Sequence, residues 1–188
     1  TLIFVHGIGS IRTGDNAMAL AARLVSQGYN VLLFDLRAHG SSDGDKVSGG
    51  IHEQQDVLGA LDFLVGQGIP SESIGVLGFS MGAATALLAV SREPAIRAVV
   101  ADSPYSNASD LIARATARKT IFPRWLVPVF MPATKLMANK LYGIDVATLV
   151  PEEVVKGIPY PILVIHGKGD TRIPFEHGVK VHKAAHPR

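Results

Sequence analysis

The sequence alternates between short apolar runs and longer segments with helical periodicity. Apolar residues fill both faces of the short runs, which is typical of strands that are buried on both sides. The five runs are residues 1–6, 30–35, 73–79, 95–102 and 160–167. Strands of this kind occur mainly in parallel sheets that helices cover on both faces. The sequence therefore predicts an α/β fold with a mostly parallel sheet.

Four further segments have apolar residues at the spacing of a helix. They are residues 15–27, 52–66, 81–92 and 175–185. The first of them stops before Gly28, a residue type that is frequent just after helix C-termini. Each of the first three helices lies between two predicted strands, as the crossovers of a parallel sheet require.

Composition restricts the possible functions. The 188 residues suffice for one domain with a substantial core, and 47% of them are hydrophobic, as in a globular protein. Eighteen basic and sixteen acidic residues are scattered along the chain, so no basic tract indicates nucleic-acid binding. The absence of cysteine excludes disulfides and cysteine-ligated metals. No histidines have a metal-binding spacing such as His-Glu-x-x-His. We therefore predict neither a metal nor a cofactor.

The sequence begins directly in an apolar run, without an initiator methionine or the basic region of a signal peptide. We therefore expect further sequence before Thr1.

The cellular compartment stays open, with the cytoplasm favoured because no signal peptide is visible. No apolar run approaches the roughly 20 residues that are needed to span a bilayer, so no transmembrane segment is predicted. The oligomeric state is also left open.

One segment breaks the alternation of strands and helices. Residues 104–159 lie between the fourth and fifth predicted strands, contain several prolines and are rich in apolar residues. They are either ordinary connecting helices or a cap over a site, because long insertions in compact domains are often lids. The large apolar side chains of a cap would favour a substrate with an apolar part. They are Phe122, Trp125, Leu126 and Phe130.

A serine lies between two glycines where the third strand meets the following helix. Residues 78–82 are Gly-Phe-Ser-Met-Gly. Gly-x-Ser-x-Gly is a weak signal alone, but a strand-to-helix junction is the setting of a nucleophile elbow. That strained turn leaves no room for a Cβ at Gly78 or Gly82. We predict that Ser80 is a nucleophile above a helix N-terminus, which favours negative charge. The alternative is a serine that only caps the helix.

A serine nucleophile also requires donors for an oxyanion and an acid that orients the base. The backbone N–H of Met81, the residue after the nucleophile, is one predicted donor. The sequence His-Gly-Ile-Gly-Ser after the first strand offers the N–H of Ile8 as the second. Asp170, in the loop after the fifth strand, is the favoured acid because it follows Ser80 in the expected order. Asp102, after the fourth strand, is its rival.

Four motifs in this order and spacing resemble the α/β-hydrolase superfamily: HGIGS, DLRAHGSS, GFSMG and HGKGDTRIP. They are most similar to its serine-hydrolase branch, with esterases, serine aminopeptidase-like and acyl-peptidase-like members. The resemblance covers essentially the whole chain and implies one domain, with a cap over 104–159. It implies that Ser80 is the nucleophile, Asp170 the acid, and Ile8 and Met81 the oxyanion donors. It also implies that the loop containing Asp35 is structural.

The resemblance further implies a histidine base, which follows one more helix and one more strand after the acid. These elements and their loops need roughly 24 residues. Only 18 residues follow Asp170. We therefore expect the base and the last strand beyond Arg188, and the first strands of the fold before Thr1. His186 is the fallback if the native chain ends here.

The other histidines have structural interpretations. His6 precedes a turn glycine and is predicted to brace the loop that contains Ile8. His177 and His182 lie on the last predicted helix, where we expect both to face solvent. The remaining three are interpreted as loop, surface or strand-end residues: His39, His52 and His166.

The sequence thus predicts a serine hydrolase that cleaves a carboxylic ester or related acyl bond through an acyl-enzyme on Ser80. The expected partner is a small acyl substrate with an apolar part. A thioesterase, an acyltransferase or a peptidase would use the same chemistry. A non-catalytic binding module on the same scaffold becomes the alternative if no histidine follows Arg188.

Overall fold

A computed structural model describes residues 1–119 and 127–185. Its strands are β1 (Leu2–Val5), β2 (Val31–Leu33), β3 (Gly75–Phe79), β4 (Ala98–Asp102) and β5 (Ile162–Ile165). Its helices are α1 (Ala17–Ser26), α2 (Glu53–Gly66), α3 (Met81–Val90), α4 (Ala108–Lys119), α5 (Val127–Tyr142), α6 (Pro151–Val154) and α7 (Phe175–Ala184). Short 3₁₀ turns lie at Ser71–Ser73, Val146–Thr148 and Val155–Gly157.

The described strands form one sheet in the order β2-β1-β3-β4-β5, and every neighbouring pair is parallel. The predicted α/β fold is therefore confirmed. Each observed strand is shorter than the apolar run that predicted it, because turn or loop residues take up one or both ends of the run. The order places β3 between β1 and β4, so the residue that follows β3 lies near the middle of the carboxyl edge.

The two faces of the sheet pack against different helices. Ile3, Val76 and Val99 are neighbours across β1, β3 and β4, and they belong to the main core together with residues of α2 and α3. Phe4 is buried on the opposite face, where α1 packs beside β2. On this second face, Leu163 of β5 is 56% exposed.

The segment 104–159 contains two different kinds of structure. Its first part includes α4 and α5. Its last part packs into the body of the protein, because Val155 and Ile158 are buried in the main core. The cap interpretation therefore applies to α4 and α5 and stays a prediction.

Of the apolar residues assigned to a cap, Phe130 is exposed on α5. Three others lie outside the described residues: Phe122, Trp125 and Leu126. No helix in the described ranges has both the length and the apolar character to cross a membrane.

Helix α3 approaches β1 so closely that there is no space for a side chain at Gly82. A Cβ there would overlap the carbonyl oxygens of Val5 and His6. Both obstacles are backbone atoms of the central sheet, so they cannot move aside as a side chain could. Gly59, inside α2, is the opposite case, because no heavy atom lies within 4 Å of the position its Cβ would take.

We expect Gly82→Ala to lower the free energy of unfolding by about 3 kcal/mol, because α3 must shift away from β1. Gly59→Ala is the matched control. It should raise the free energy of unfolding by about 0.5–1 kcal/mol, because alanine restricts the unfolded chain and favours the helix interior. Urea unfolding of the full-length variants, followed by circular dichroism, measures both changes. Equal effects of the two substitutions would contradict this packing.

Candidate active site

Ser80 joins β3 to α3 with an unusual backbone conformation. Its φ is 56° and its ψ is −118°, in a region that residues other than glycine rarely adopt. Its N–H donates to the carbonyl oxygen of Asp102 at 2.8 Å. A Cβ at Gly78 would overlap the backbone of Gly82 and Ala83. Strain of this kind costs about 1–3 kcal/mol and persists only where the surrounding packing imposes it. Ser80 thus has the strain that a nucleophile elbow requires.

Ser80 lines a cavity of about 960 Å³. This volume is within the usual range of roughly 300–1,000 Å³ for small-molecule sites. Ile8 and Met81 line the cavity beside Ser80. Most of the other lining side chains are apolar, and they include Val47, Leu111, Ile112, Ile144, Val146, Leu149 and Ile173. The arrangement can hold an apolar molecule against the serine hydroxyl.

The two predicted oxyanion donors both border this cavity. Ile8 is 52% exposed, whereas Met81 is 4% exposed at the start of α3. Within the described residues, neither backbone N–H donates a hydrogen bond. Two free N–H groups that border one cavity with Ser80 are available to a developing negative charge.

His39 holds the loop that contains Ile8. Its Nε2 accepts the backbone N–H of Gly9 at 3.2 Å. Its Nδ1 lies 2.8 Å from the carbonyl oxygen of Arg37, so the hydrogen-bond network assigns the proton to Nδ1. This histidine therefore connects the loop after β1 to the loop after β2. The interpretation of His39 as a hydrogen-bonding loop residue agrees with this geometry.

His6 braces the same loop from inside the protein. It is fully buried, its Nε2 accepts the N–H of Leu36 at 3.0 Å, and its Nδ1 lies 2.9 Å from the carbonyl oxygen of Gly7. Its ring contacts that of His39 edge to face, with 4.9 Å between centroids. Burial lowers the pKa of His6, although the hydrogen bond to Gly7 opposes that effect. The neutral ring therefore has the bracing role that the sequence predicted.

Asp35 binds the end of this loop that contains Arg12. It accepts the backbone N–H groups of Arg12 at 2.6 Å and Ser41 at 3.0 Å, and it forms an ion pair with the Arg12 guanidinium. Burial disfavours the carboxylate, but these hydrogen bonds and the Arg12 charge outweigh burial and lower the pKa of Asp35. Asp35 thus serves the loop structure, as the resemblance implied.

Asp170, the favoured acid, follows β5 at the same edge of the sheet as Ser80. Its Oδ1 accepts the backbone N–H groups of Arg172 at 2.8 Å and Ile173 at 2.9 Å. Its Oδ2 lies 3.8 Å from Nε2 of His166. One carboxylate oxygen is therefore held by the backbone of its own turn, which fixes the orientation of the carboxylate.

Asp102, the rival acid, is the last residue of β4 and is paired in register with Phe79. Its Oδ1 accepts the hydroxyl of Ser103 at 2.9 Å. Asp102 is one strand away from Ser80 and Asp170 is two strands away. Neither aspartate lines the cavity, so the choice between them stays a prediction.

The prediction that His177 faces solvent is wrong. His177 is 3% exposed, and its Nδ1 accepts the backbone N–H of Ser106 at 3.2 Å. The Ser106 hydroxyl lies 3.0 Å from the same nitrogen. Burial lowers the pKa of His177, and the positive charges of Arg114 and Lys180 lower it further. The loop after β4 covers this face of α7, which the helical pattern alone did not reveal. His182 is exposed, as predicted.

No described histidine lines the cavity with Ser80. Nε2 of His166 donates to the carbonyl oxygen of Ile173 at 2.8 Å, which is a structural contact at the end of β5. His186, the fallback base, lies outside the described residues. Within the same described ranges, no cluster of histidine and acidic side chains could hold a metal ion.

Two residues that shape the cavity wall were not indicated by any motif in the sequence. Glu53, the first residue of α2, is fully buried and accepts the N–H groups of Ser48 at 2.7 Å and Gly50 at 2.8 Å. The hydroxyl of Tyr105 donates to the carbonyl oxygen of Gly49 at 2.7 Å. Burial and the nearby Glu53 carboxylate raise the pKa of Tyr105, which therefore stays a hydrogen-bond donor. One pattern in the sequence could have indicated Glu53: it is an acidic residue in the first turn of a helix, and it closely follows two glycines.

Comparison with known proteins defines the class. A family model described as "alpha/beta hydrolase fold" matches residues 1–153. The chain therefore belongs to the α/β-hydrolase family, and the implied membership is confirmed.

Individual relatives agree with this class. YqkD of Bacillus subtilis (strain 168), which is described as uncharacterized, is 30% identical over 177 residues, covering 93% of this chain and 56% of YqkD. The lysophosphatidylserine lipase ABHD12 of Danio rerio is 27% identical over 188 residues, covering 98% of this chain and 47% of that protein. The chain thus spans about half the length of these curated relatives.

A solved structure is similar over most of this chain. The Pyrococcus furiosus esterase Pf2001 has a TM-score of 0.73 and 29% identity, covering 97% of this chain and 67% of the esterase chain.

We expect the free energy of unfolding to fall as the pH falls below about 6.5, the ordinary histidine value. His6 and His177 have lowered pKa values in the folded protein, so below pH 6.5 the unfolded chain binds protons that the folded chain does not. Urea unfolding of the full-length protein between pH 7.5 and 5.5 measures the loss. His6→Gln should reduce the pH dependence, because it removes one such group.

His182→Gln is the matched control, since His182 is exposed on α7. It should retain the pH dependence of the wild type. A His6→Gln protein that loses stability with falling pH as steeply as the wild type would contradict the role assigned to the buried ring.

Proposed function

We propose that the protein is a serine hydrolase that cleaves carboxylic esters or related acyl bonds through an acyl-enzyme on Ser80. The observation that carries the proposal is the strained Ser80 in an apolar cavity, next to the free N–H groups of Ile8 and Met81. Similarity to the esterase Pf2001 and to lysophosphatidylserine lipases supports ester hydrolysis as the reaction.

In the proposed mechanism, a general base removes the proton from Ser80 as Oγ attacks the carbonyl carbon. The negative charge on the carbonyl oxygen would be stabilised by the N–H groups of Ile8 and Met81, at about 2.7–4 kcal/mol for each donor. The base then protonates the leaving alcohol, and water hydrolyses the acyl-enzyme. Asp170 would orient the base and stabilise its cationic form. The mechanism requires no cofactor.

The cavity wall supports a substrate with an apolar part. Helix α4 contributes Leu111, Ile112 and Ala115 to the lining, and the loop at 47–50 contributes to it as well. Each methylene that leaves water for such a wall contributes about 0.8 kcal/mol. We propose that α4 and α5 form a cap whose inner surface binds an acyl chain or an apolar alcohol.

Cleavage of thioesters or amides would proceed through the same acyl-enzyme. Transfer of the acyl group to an acceptor other than water would also use it. Products from matched ester, thioester and amide substrates distinguish these reactions. The alternative of another class is a non-catalytic binding protein. It is the alternative if the protein has no histidine that can act as the base for Ser80.

A fluorophosphonate probe tests the nucleophile. It should label the full-length protein stoichiometrically, with the adduct on Ser80 by mass spectrometry, because the probe reacts with activated serines. Ser80→Ala should not be labelled. Ser26→Ala, on the exposed part of α1, is the control and should be labelled like the wild type. An unlabelled wild type would favour the binding protein, and equal labelling of Ser80→Ala would exclude Ser80 as the nucleophile.

The acid can be assigned by comparing two asparagine variants. Asp170→Asn should lower kcat for an ester substrate by about 10⁴-fold, because the amide cannot stabilise the cationic base in the required tautomer. Asp102→Asn should lower it by less than about tenfold, because the amide oxygen of asparagine still accepts the Ser103 hydroxyl. Thermal unfolding of both variants checks their folding. The reverse order of the two effects would identify Asp102 as the acid.

A further inference from the structure

We propose that Arg114 and Arg172 bind an anionic group of the substrate, which would make the substrate an anionic amphiphile. This inference rests on the proposed function, because it concerns the cavity that contains Ser80. The anionic group is a phosphate or a carboxylate, and it lies on the same molecule as an apolar chain.

The first observation is the charge of the cavity wall. Arg114 and Arg172 are the charged side chains among the described residues that line it, and no carboxylate is present in that described lining. They come from two separate elements, α4 and the loop between β5 and α7. The cavity therefore combines an apolar wall with two charges of the same sign, which is the lining that suits an amphiphilic anion.

The second observation is that nearby carboxylates already have other partners. Asp110 lies one helical turn before Arg114, but its Oδ2 pairs with Nζ of Lys180 at 3.2 Å. Asp170 receives the backbone N–H of Arg172, which leaves the guanidinium uninvolved. Neither guanidinium forms an ion pair with any residue in the described parts of the chain. Two guanidinium groups with unused donors are thus available to a ligand.

The third observation is the charge of the surrounding segment. Residues 108–142 contain six basic residues and one acidic residue, whereas the whole chain has eighteen basic and sixteen acidic residues. The positive charge is therefore concentrated in the segment that includes α4. Such a field attracts an anionic substrate and repels a cationic one.

The chemistry of arginine matches this ligand. A guanidinium has a planar set of donors that binds phosphate and carboxylate oxygens in pairs. Both arginines are exposed, so solvent and salt weaken each contact. Together, the two arginines should raise the affinity of the cavity for an anionic ligand by about tenfold. This gain in affinity should fall clearly as the ionic strength rises.

Binding to full-length Ser80→Ala tests the inference without requiring catalysis. Isothermal titration calorimetry would compare decyl phosphate, decanoate and decanol, each below its aggregation concentration. Both anions should bind at least about tenfold more tightly than decanol in 50 mM NaCl, and this preference should fall several-fold in 500 mM NaCl. The phosphate and carboxylate arms show which anion the site prefers.

Substitution of the two arginines locates the effect. Arg114→Gln and Arg172→Gln should each lower the preference for anions about threefold, and the double variant should remove most of it. Arg172→Gln retains the backbone N–H that Asp170 accepts. Arg92→Gln is the matched control, because Arg92 is exposed beyond the opposite end of α3 and should leave the preference unchanged. Thermal unfolding of each variant verifies folding.

Equal binding of the three ligands, or an unchanged preference in the double variant, would overturn the inference. These outcomes differ from failure of the proposed function. A protein that is labelled at Ser80 but binds anions and decanol equally retains the hydrolase proposal and loses this one. A protein that prefers the anions but is not labelled retains the anion site and loses the hydrolase proposal.

Discussion

The close approach of α3 to β1 at Gly82 is the constraint on which the rest of the site depends. A Cβ there would overlap the carbonyl oxygens of Val5 and His6. The helix can therefore begin directly after β3, and Ser80 must take a backbone conformation that is strained for a serine. The same geometry places Met81 in the cavity wall beside Ser80 and close to the loop that follows β1. Packing in the core thus presents the serine at the sheet edge.

The loop with Ile8 is held by hydrogen bonds with histidine side chains rather than by regular secondary structure. His39 accepts the N–H of Gly9 and His6 accepts that of Leu36, so both rings must keep an unprotonated Nε2. Donors that are positioned in advance need no rearrangement when negative charge develops. The cost is sensitivity to acid, because burial lowers the pKa of His6 and protonation would remove its hydrogen bond with Leu36. Stability and the candidate oxyanion site are therefore linked through the same side chain.

The cavity combines an apolar lining with positive charge, and each of these two properties comes from more than one element. The apolar lining is contributed in part by α4, and the loop at 47–50 is held in position by Glu53 and Tyr105. The positive charge comes from Arg114 on α4 and from Arg172 in the loop between β5 and α7. The site proposed for an apolar chain and an anionic group therefore depends on the assembled fold, since the two arginines come from elements that are separate in the sequence.

The sequence by itself determined the parallel sheet, the four helices α1, α2, α3 and α7, and the position of Ser80 at a strand-to-helix junction. Apolar periodicity and paired glycines are local patterns, and they indicate burial along one element without knowledge of the others. Only the tertiary structure decided that His177 is buried and that Arg114 and Arg172 line the same cavity. It also decided the roles of Glu53 and Tyr105. The two arginines are far apart along the chain, and His177 is covered by a loop that precedes it by about seventy residues. Such contacts depend on the order of the strands and the packing of helices across the sheet, which no local pattern encodes.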